Sequence, residues 1–158
     1  LETYDNLLVV QTMSKSRSFA GLRVGYAFGS EALISALDTV KNSFNSYTVD
    51  RASMRAAAAA VDDADYFRAC CEKVISARET AAAELRALGC EVLPSKSNFL
   101  FVRTPGVPGK SVYEGLRARG ILVRWWDKAR IRDFVRITVG TPEEMDALVR
   151  AMREIKEG

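Results

Sequence analysis

The amino-acid sequence predicts an α/β fold in which helices cover a small, mostly antiparallel sheet. Short runs rich in Val, Ile and Phe alternate with longer segments whose apolar residues recur at helical spacing. Gly89 and Gly120 follow two predicted helices, where glycine adopts the left-handed backbone that ends a helix without steric cost. With 158 residues, 48% of them apolar, the chain can bury one sizeable core, or one core and part of a neighbouring domain.

The N-terminal part of the chain predicts the order strand, loop, strand, helix. Residues 7–10 and 22–28 are apolar runs typical of strands, and a polar loop separates them. Ser30 precedes residues 33–40, whose apolar positions have helical spacing. No capped element precedes the first strand, so we expect the chain to begin inside a domain.

A polar, turn-forming segment at residues 42–50 predicts a hinge. We therefore expect residues 1–45 to be the C-terminal tail of a large domain, with part of its sheet and the loop that contains Lys15. Residues 46–158 are expected to form a small C-terminal α/β domain.

The predicted small domain begins with an alanine-rich segment that favours helix. Asp50 or a nearby residue is expected to cap it, and Asp62-Asp63 to divide it into a short helix and a long one. The last helix has the clearest signal, because Thr141 is a suitable N-cap, Pro142 suits the first turn and Glu144 can complete a capping box. Between these helices the sequence predicts strands at residues 90–93, 99–102, 121–124 and 134–139, and a helix at residues 111–119.

Composition disfavours several classes of function. The 23 basic and 20 acidic residues are interleaved and leave a net charge of +3, which is weak support for binding nucleic acid or a membrane. The chain has no histidine, and its three cysteines lack the spacing of a metal site or a disulfide framework. We expect no metal, reduced cysteines and a cytoplasmic location, so any chemistry must depend on Lys, Arg, Tyr, Asp or Glu.

The segment with the most chemical information lies between the two N-terminal strands. Lys15 lies where a strand ends, so it can be partly removed from water, which leaves some of its amine uncharged and able to attack a carbonyl. The hydroxyls of Thr12 and Ser14 and the guanidinium of Arg23 could converge on one phosphate. Taken alone, a Ser-Lys pair is more often part of a solvated basic loop, and Arg17 is expected to face solvent.

The complete pattern is more specific than the Ser-Lys pair. It consists of Ser14-Lys15, Ala20-Gly21, Arg23 and Gly25-Tyr26. This pattern resembles the lysine signature of the fold-type I pyridoxal-phosphate aminotransferases. The resemblance implies that the cofactor is pyridoxal 5'-phosphate and that Lys15 is the catalytic residue, which holds the cofactor as an aldimine and moves a proton. It also implies that Thr12, Ser14 and Arg23 bind the cofactor phosphate.

Two arginines interrupt predicted strands near the end of the chain. Arg124 ends the string Gly-Ile-Leu-Val-Arg, and Arg136 lies between apolar neighbours in Val-Arg-Ile-Thr-Val-Gly-Thr. Either can be an edge-strand arginine whose stem covers the core, but a buried guanidinium needs an anion, which a carboxylate supplies in matching geometry.

Both strings resemble substrate-binding segments of the same family. The second is similar to the site for the substrate α-carboxylate or another anion. The first resembles the histidinol-phosphate branch, where an additional arginine supports binding of the substrate phosphate. By the same resemblance Asn98 lies near the substrate, although an asparagine in a turn that enters a strand explains it equally well.

The resemblance covers the chain from Asn6 to Ile155 and implies the C-terminal half of such an enzyme. The family's phosphate loop, its ring-stacking aromatic residue and the aspartate that pairs with the pyridine nitrogen would all precede Lys15, so this chain alone is expected to be inactive. In the complete protein, a homodimer, the implied reaction is transamination of histidinol phosphate or imidazole-acetol phosphate with glutamate or 2-oxoglutarate, in histidine biosynthesis.

Two kinds of alternative stay open at this point. The same lysine and fold would serve another class I/II aminotransferase or a phospho-amino-acid decarboxylase. A non-catalytic anion-binding domain is the alternative outside the enzymes, and a fully exposed Lys15 without a cavity beside it would favour that hypothesis.

Overall fold

The computed structural model describes residues 3–158, which form two compact units. The first unit ends at Ala69, and the second runs from Cys70 to Gly158. The domain boundary expected at residues 45–46 concerns a longer protein and stays a prediction. None of the helices among the described residues is both long enough and apolar enough to cross a membrane.

In chain order the elements are β1 (Val9–Thr12), α1 (Met13–Ser16), β2 (Gly25–Phe28), α2 (Glu31–Phe44), α3 (Arg51–Asp62), α4 (Ala64–Ala87), β3 (Glu91–Val92), β4 (Phe99–Arg103), α5 (Gly109–Ala118), β5 (Phe134–Thr138) and α6 (Pro142–Glu157).

The first unit contains a two-stranded antiparallel sheet. β1 pairs with β2 along the whole length of both strands, with Val9 opposite Phe28. The predicted strand, strand and helix are present in that order, but the predicted loop contains the short helix α1, and both predicted strands started too early. Ala20–Leu22 forms a 3₁₀ turn and Arg23 has a left-handed backbone with φ of 56°, so the second strand begins only after this turn.

Helices α2, α3 and α4 begin and end close to their predicted positions. Asp50 caps α3, since its carboxylate accepts hydrogen bonds from the amide of Ser53 at 2.9 Å and from its hydroxyl at 2.6 Å. The hydroxyl bond holds the pKa of the Asp50 carboxyl below its usual value. Asp63 separates α3 from α4, and its carboxylate accepts a hydrogen bond from the Tyr66 amide at 3.2 Å. The predicted division of the alanine-rich segment is therefore confirmed.

Much of the apolar surface in the first unit is exposed. No residue of α2 is buried, and a small cluster around Met13, Val24 and Ala57 is the buried core of this part. Val40 and Phe44 are among the large apolar side chains left in contact with water. Such exposed apolar surface is a face that other protein elements could cover.

The second unit has a single apolar core between a three-stranded sheet and three helices. β4 lies between β3 and β5 and pairs antiparallel with both, as the predicted fold class requires. Leu100 and Val102 of β4 alternate with residues of the opposite face and are 1% exposed. Side chains of α4, α5 and α6 complete the same core, among them Leu85, Leu116 and Met152.

The helix ends of the second unit confirm their predicted signals. Gly89 and Gly120 follow α4 and α5 with φ of 79° and 77°. Thr141 and Glu144 form the predicted capping box, in which the hydroxyl of Thr141 accepts from the Glu144 amide at 3.3 Å and the Glu144 carboxylate accepts from the Thr141 amide at 2.8 Å.

Two predicted elements of this unit need correction. Residues 121–124 do not form a strand, because only Arg124 pairs with the sheet, through an isolated bridge to Arg136. Helix α5 begins at Gly109, before the predicted start at residue 111. Gly109 packs so closely that a Cβ there would lie 2.4 Å from the backbone oxygen of Arg132, which explains a glycine inside the first turn of a helix.

Leu85→Ala is expected to destabilise the second unit by about 2–5 kcal/mol. Leu85 is 0% exposed, so its truncation leaves a cavity between α4 and the sheet. Leu122→Ala is the matched control, because Leu122 is 81% exposed and its loss should cost less than about 0.5 kcal/mol. Urea unfolding followed by tryptophan fluorescence measures both changes, and equal losses would contradict this account of the core.

Candidate active site

Three of the predicted site residues lie together at the junction of β1 and the short helix α1. Thr12 is the N-cap of α1, and its hydroxyl oxygen accepts a hydrogen bond from the amide of Ser14 at 3.1 Å. Met13 is buried, and its amide donates to the carbonyl of Val24 at 3.1 Å. The junction is thereby attached to the segment that enters β2, and it presents Thr12, Ser14 and Lys15 in one turn.

The hydroxyls of Thr12 and Ser14 are close enough to act on one ligand atom. Thr12 Oγ1 donates to Ser14 Oγ at 3.0 Å, and neither side chain is buried. Ser14 Oγ keeps its own proton to donate, since it is the acceptor in this bond. In this arrangement Ser14 has the hydroxyl that is free to donate to an anionic oxygen, and Thr12 could do so in addition only by giving up its bond to Ser14.

Arg23 lies at the opposite end of the same loop. Its Nη1 donates to the carbonyl oxygen of Ala20 at 2.9 Å, and its side chain is exposed. A guanidinium has five N–H donors, so this one bond leaves it able to bind a phosphate in addition. Its left-handed backbone is a conformation that an arginine rarely adopts, and it sets the direction in which the chain leaves the loop.

Lys15 is exposed, whereas the sequence analysis expected it to be partly removed from water. The reason is that β1 ends at Thr12, so Lys15 lies on the turn of helix that follows the strand and is not enclosed by the two strands. Within the described residues, Lys15 therefore shares one turn with Thr12 and Ser14, and its side chain is exposed.

Arg17 was expected to face solvent, but it does not. Its side chain is half-buried, and its Cζ lies 3.5 Å from the centroid of the Phe67 ring on α4. Its Nη1 is buried and has no hydrogen-bond partner among the described residues. Sequence reasoning missed Phe67 because the contact joins positions far apart in the chain, and the amphipathic pattern of a helix does not identify its partners.

In the second unit the two late arginines lie directly opposite each other. Arg124 donates its amide to the Arg136 carbonyl at 2.9 Å and accepts the Arg136 amide at 2.8 Å. Such directly opposite residues place their side chains on the same face, and like charges in these positions repel. The bridge therefore creates a concentrated positive charge that an anion would stabilise.

Aromatic rings surround the Arg136 guanidinium. Its Cζ lies 4.2 Å from the centroid of Phe99 and 5.3 Å from that of Trp126, and the Cζ of Arg124 lies 5.4 Å from the same Trp126 ring. Arg136 is half-buried, and its Nε is buried without a hydrogen-bond partner among the described residues. A buried donor without an acceptor is costly, so this arrangement favours the anion-binding hypothesis over that of an arginine that only covers the core.

Trp126 is a site residue that sequence reasoning missed. It follows Arg124 by two positions, so an aromatic residue next to the arginine-containing string was the available signal. Asn98 is half-buried at the start of β4, and its carbonyl accepts a hydrogen bond from the Val139 amide at 2.9 Å. This backbone bond joins the adjacent ends of β4 and β5, and it gives Asn98 a structural role whether or not its side chain contacts a substrate.

Comparisons with known proteins identify the family of the chain. The family model for aminotransferase class I and II matches residues 1–152. Histidinol-phosphate aminotransferase of Clostridium beijerinckii is 51% identical over 155 residues, which are 98% of this chain and 43% of that protein. Histidinol-phosphate aminotransferase 2 of Dechloromonas aromatica is 54% identical over 155 residues, again 98% of this chain and 44% of that protein.

A solved structure has the same fold. Histidinol-phosphate aminotransferase from Sinorhizobium meliloti, in complex with pyridoxal-5'-phosphate, superposes with a TM-score of 0.84 at 27% identity, over 97% of this chain and 42% of that one. The chain thus spans less than half the length of the proteins that it matches. Because the family model covers nearly all of the chain, and relatives that are 51% and 54% identical match 98% of it, the chain belongs to the class I and II aminotransferases, a family of transferases with the fold-type I architecture.

Proposed function

We propose that these residues belong to a pyridoxal-phosphate-dependent enzyme that transfers an amino group between histidinol phosphate or imidazole-acetol phosphate and glutamate or 2-oxoglutarate, in histidine biosynthesis. The family supports the reaction type, and the names of the two relatives support the substrate. The observation that carries the substrate assignment is the Arg124–Arg136 pair, whose charge and unpaired buried Nε call for a strongly anionic ligand.

The donor set of the first unit fits the proposed cofactor. Thr12, Ser14 and Arg23 offer two hydroxyls and a guanidinium for a phosphate, and Lys15 offers an amine for an aldehyde. When bound, pyridoxal phosphate supplies an electron sink that makes the substrate Cα–H bond acidic and a carbon that accepts the amino group.

Lys15 has two tasks in this proposal. Its Nζ would hold the cofactor covalently, and it would also move a proton to and from the substrate Cα. Both tasks need an uncharged amine. Because Lys15 is exposed among the described residues, its removal from water would depend on the bound cofactor and on the rest of the complete protein.

Arg136 and Arg124 would divide the recognition of the substrate anions between them. Arg136 is half-buried under two rings and would bind the anionic group that both half-reactions share. Arg124 is exposed and would add a contact to the phosphate of histidinol phosphate. Asn98 is a further proposed substrate-binding residue, supported only by its family position directly before β4.

Three further features of the complete protein are part of the proposal. We infer a homodimer, a cytoplasmic location and a division into a large domain that includes residues 1–45 and a small domain at residues 46–158. The exposed apolar side chains of α2 support the first unit's membership of a larger assembly.

The proposal is tested by assay of a complete protein that contains this chain. With pyridoxal phosphate, it should convert histidinol phosphate and 2-oxoglutarate to imidazole-acetol phosphate and glutamate without release of carbon dioxide. Carbon dioxide release would instead identify a phospho-amino-acid decarboxylase, and activity only on other amino donors would identify another class I/II aminotransferase.

A non-catalytic anion-binding domain is the second candidate, and the exposure of Lys15 favours it. It predicts that the complete protein binds inorganic phosphate but that added pyridoxal phosphate gives no visible absorption attributable to a lysine-bound cofactor. The two candidates therefore differ in one spectrum of the protein with and without the cofactor.

Arg23→Ala is expected to weaken retention of the cofactor by about 10- to 100-fold, because it removes charge-assisted hydrogen bonds worth about 1.5–3 kcal/mol. The rate per bound cofactor should change little. Arg68→Ala is the control, since Arg68 is an exposed arginine of the same unit that forms an ion pair with Asp65. Cofactor titration by absorption measures both variants, and equal retention in the two would show that Arg23 does not bind the phosphate.

A further inference from the structure

The contact between Arg17 and Phe67 has no role in the reaction as described above. We propose that Arg17 is a positioning residue for Lys15, which acts by stacking on the Phe67 ring and so attaches the end of α1 to α4. This inference rests on the proposed function of Lys15. The ligand contacts assigned to Thr12, Ser14 and Arg23 do not involve either member of the stack.

The geometry makes the ring the main partner of the guanidinium. Arg17 Cζ lies 3.5 Å from the ring centroid, well inside the distance of about 6 Å at which cation–π attraction operates. Arg17 takes part in no ion pair within the described part of the chain, and its buried Nη1 has no hydrogen-bond partner there. Because both side chains are half-buried, the attraction is less weakened by water than at an exposed site.

Backbone hydrogen bonds connect this stack to Lys15. The amides of Arg17 and Phe19 both donate to the Met13 carbonyl, at 3.3 and 3.0 Å, and the Ser18 amide donates to the Lys15 carbonyl at 3.1 Å. Ser18 also has a left-handed backbone, with φ of 58°. Lys15 thus lies in a turn that is fixed at one end by the Thr12 cap and at the other by Arg17.

The backbone of the turn sets the point from which the exposed Lys15 side chain extends. Lys15 lacks the burial that fixes the side chain of its neighbour Met13, which is 5% exposed. If the Arg17 end of the turn is released, the Lys15 Nζ samples more positions, and fewer of them place it where a proton can be transferred. The stack should therefore affect the rate of the chemical step more than the binding of substrates.

The first experiment measures the turn without using the reaction. Amide hydrogen exchange of Arg17, Ser18 and Phe19 is compared in the complete protein, without cofactor, for wild type, Arg17→Gln, Phe67→Leu and the double variant. Each single variant should speed exchange by about tenfold, equivalent to about 1.4 kcal/mol, and the double variant by no more than either alone. If the exchange rate of the double variant instead rose about a hundredfold, the two side chains would act independently and the proposal would be overturned.

The second experiment measures positioning in the cofactor-loaded enzyme. Both single variants should lower kcat per bound cofactor by about tenfold with KM for glutamate nearly unchanged, as expected when only the chemical step is affected. Arg17→Lys should retain most of the wild-type rate, because an ammonium over the ring face is also attracted to it by the cation–π interaction. If Arg17→Gln and Phe67→Leu speed amide exchange but leave kcat unchanged, the stack has only a structural role. That result would overturn the proposal.

Two control variants and the wild type distinguish failure of this inference from failure of the proposed function. Arg68→Gln removes an exposed guanidinium from α4, and Tyr47→Leu removes a ring that is 93% exposed, so neither should change exchange or kcat. If the wild type itself catalyses no transamination, the proposed function fails. The exchange data then still decide whether Arg17 and Phe67 together fix the turn.

Discussion

Lys15→Ala in the complete enzyme is expected to lower kcat for transamination by at least about 10³-fold. A general base at the reacting carbon contributes about 10²- to 10⁴-fold on its own, and this substitution also removes the group that would hold the cofactor covalently. The visible absorption of the lysine-bound cofactor should be lost at the same time. Retention of cofactor should fall less, because Thr12, Ser14 and Arg23 would still hold its phosphate.

Lys41→Ala is the matched control for this variant. Lys41 is a lysine of the same unit, and its Nζ forms an ion pair with Asp38 at 2.6 Å on the surface of α2, which contributes at most about 1 kcal/mol. Both the spectrum and the rate should be unchanged. A complete Lys15→Ala protein with the spectrum of the wild type would end the assignment of Lys15 as the cofactor lysine.

The sequence predicted those parts of the fold that depend on local signals. Asp50, Gly89 and the Thr141–Glu144 capping box each satisfy or end the backbone hydrogen bonds of a neighbouring helix, so their effect is contained within a few residues. Alanine content identified α3 and α4, and apolar spacing identified α2 and α6, in the same local way. These elements can be predicted without knowing the tertiary contacts of the rest of the chain.

The errors occur where tertiary contacts decide the backbone conformation. Residues 121–124 are apolar enough for a strand, but only Arg124 reaches a partner on β5, and Leu122 remains exposed. The early start of α5 depends on the close contact of Gly109 with the Arg132 backbone, which no local pattern encodes. The late start of β2 follows from the left-handed Arg23, a residue type that does not usually predict such a backbone.

The sequence indicated candidate site residues, and their roles stay predictions, but it did not indicate the environment of each side chain. The spacing of Lys15 and Arg23 drew attention to the loop through its family resemblance. It did not indicate that Lys15 would be exposed or that Arg17 would stack on Phe67. The Trp126 ring shared by the two late arginines was missed for the same reason, since aromatic contacts across a sheet depend on register.

Arg124→Ala and Arg136→Ala should have different effects on the two half-reactions. Arg136 is half-buried, and its guanidinium lies against Phe99 and Trp126, so its position is well defined. If it binds the anion common to both substrates, its loss should lower kcat/KM for glutamate and for histidinol phosphate alike. We expect a decrease of about 10- to 100-fold for each, from the loss of charge-assisted hydrogen bonds.

Arg103→Ala is the control for both variants. Arg103 lies on β4 of the same sheet, pairs with Glu91 through its Nε at 2.7 Å and stacks near Phe134. It resembles the site arginines in its charge and its aromatic contact, but its guanidinium already has an acidic partner. Kinetics with both substrates should therefore remain close to those of the wild type.

Arg124→Ala is expected to act on one substrate only. Arg124 is exposed, and the bridge places it directly opposite Arg136, so it can add a second cation to a ligand that Arg136 already holds. For a phosphate this contact should be worth about one charge-assisted hydrogen bond, so the KM for histidinol phosphate should rise about 10- to 100-fold while glutamate kinetics change little. Arg124→Lys should recover only part of the loss, because an ammonium supplies charge without the two-pronged geometry. Steady-state kinetics with both substrates decide the matter: equal losses on glutamate and on histidinol phosphate would exclude a phosphate-specific role for Arg124, and the paired arginines would no longer support a phosphorylated substrate.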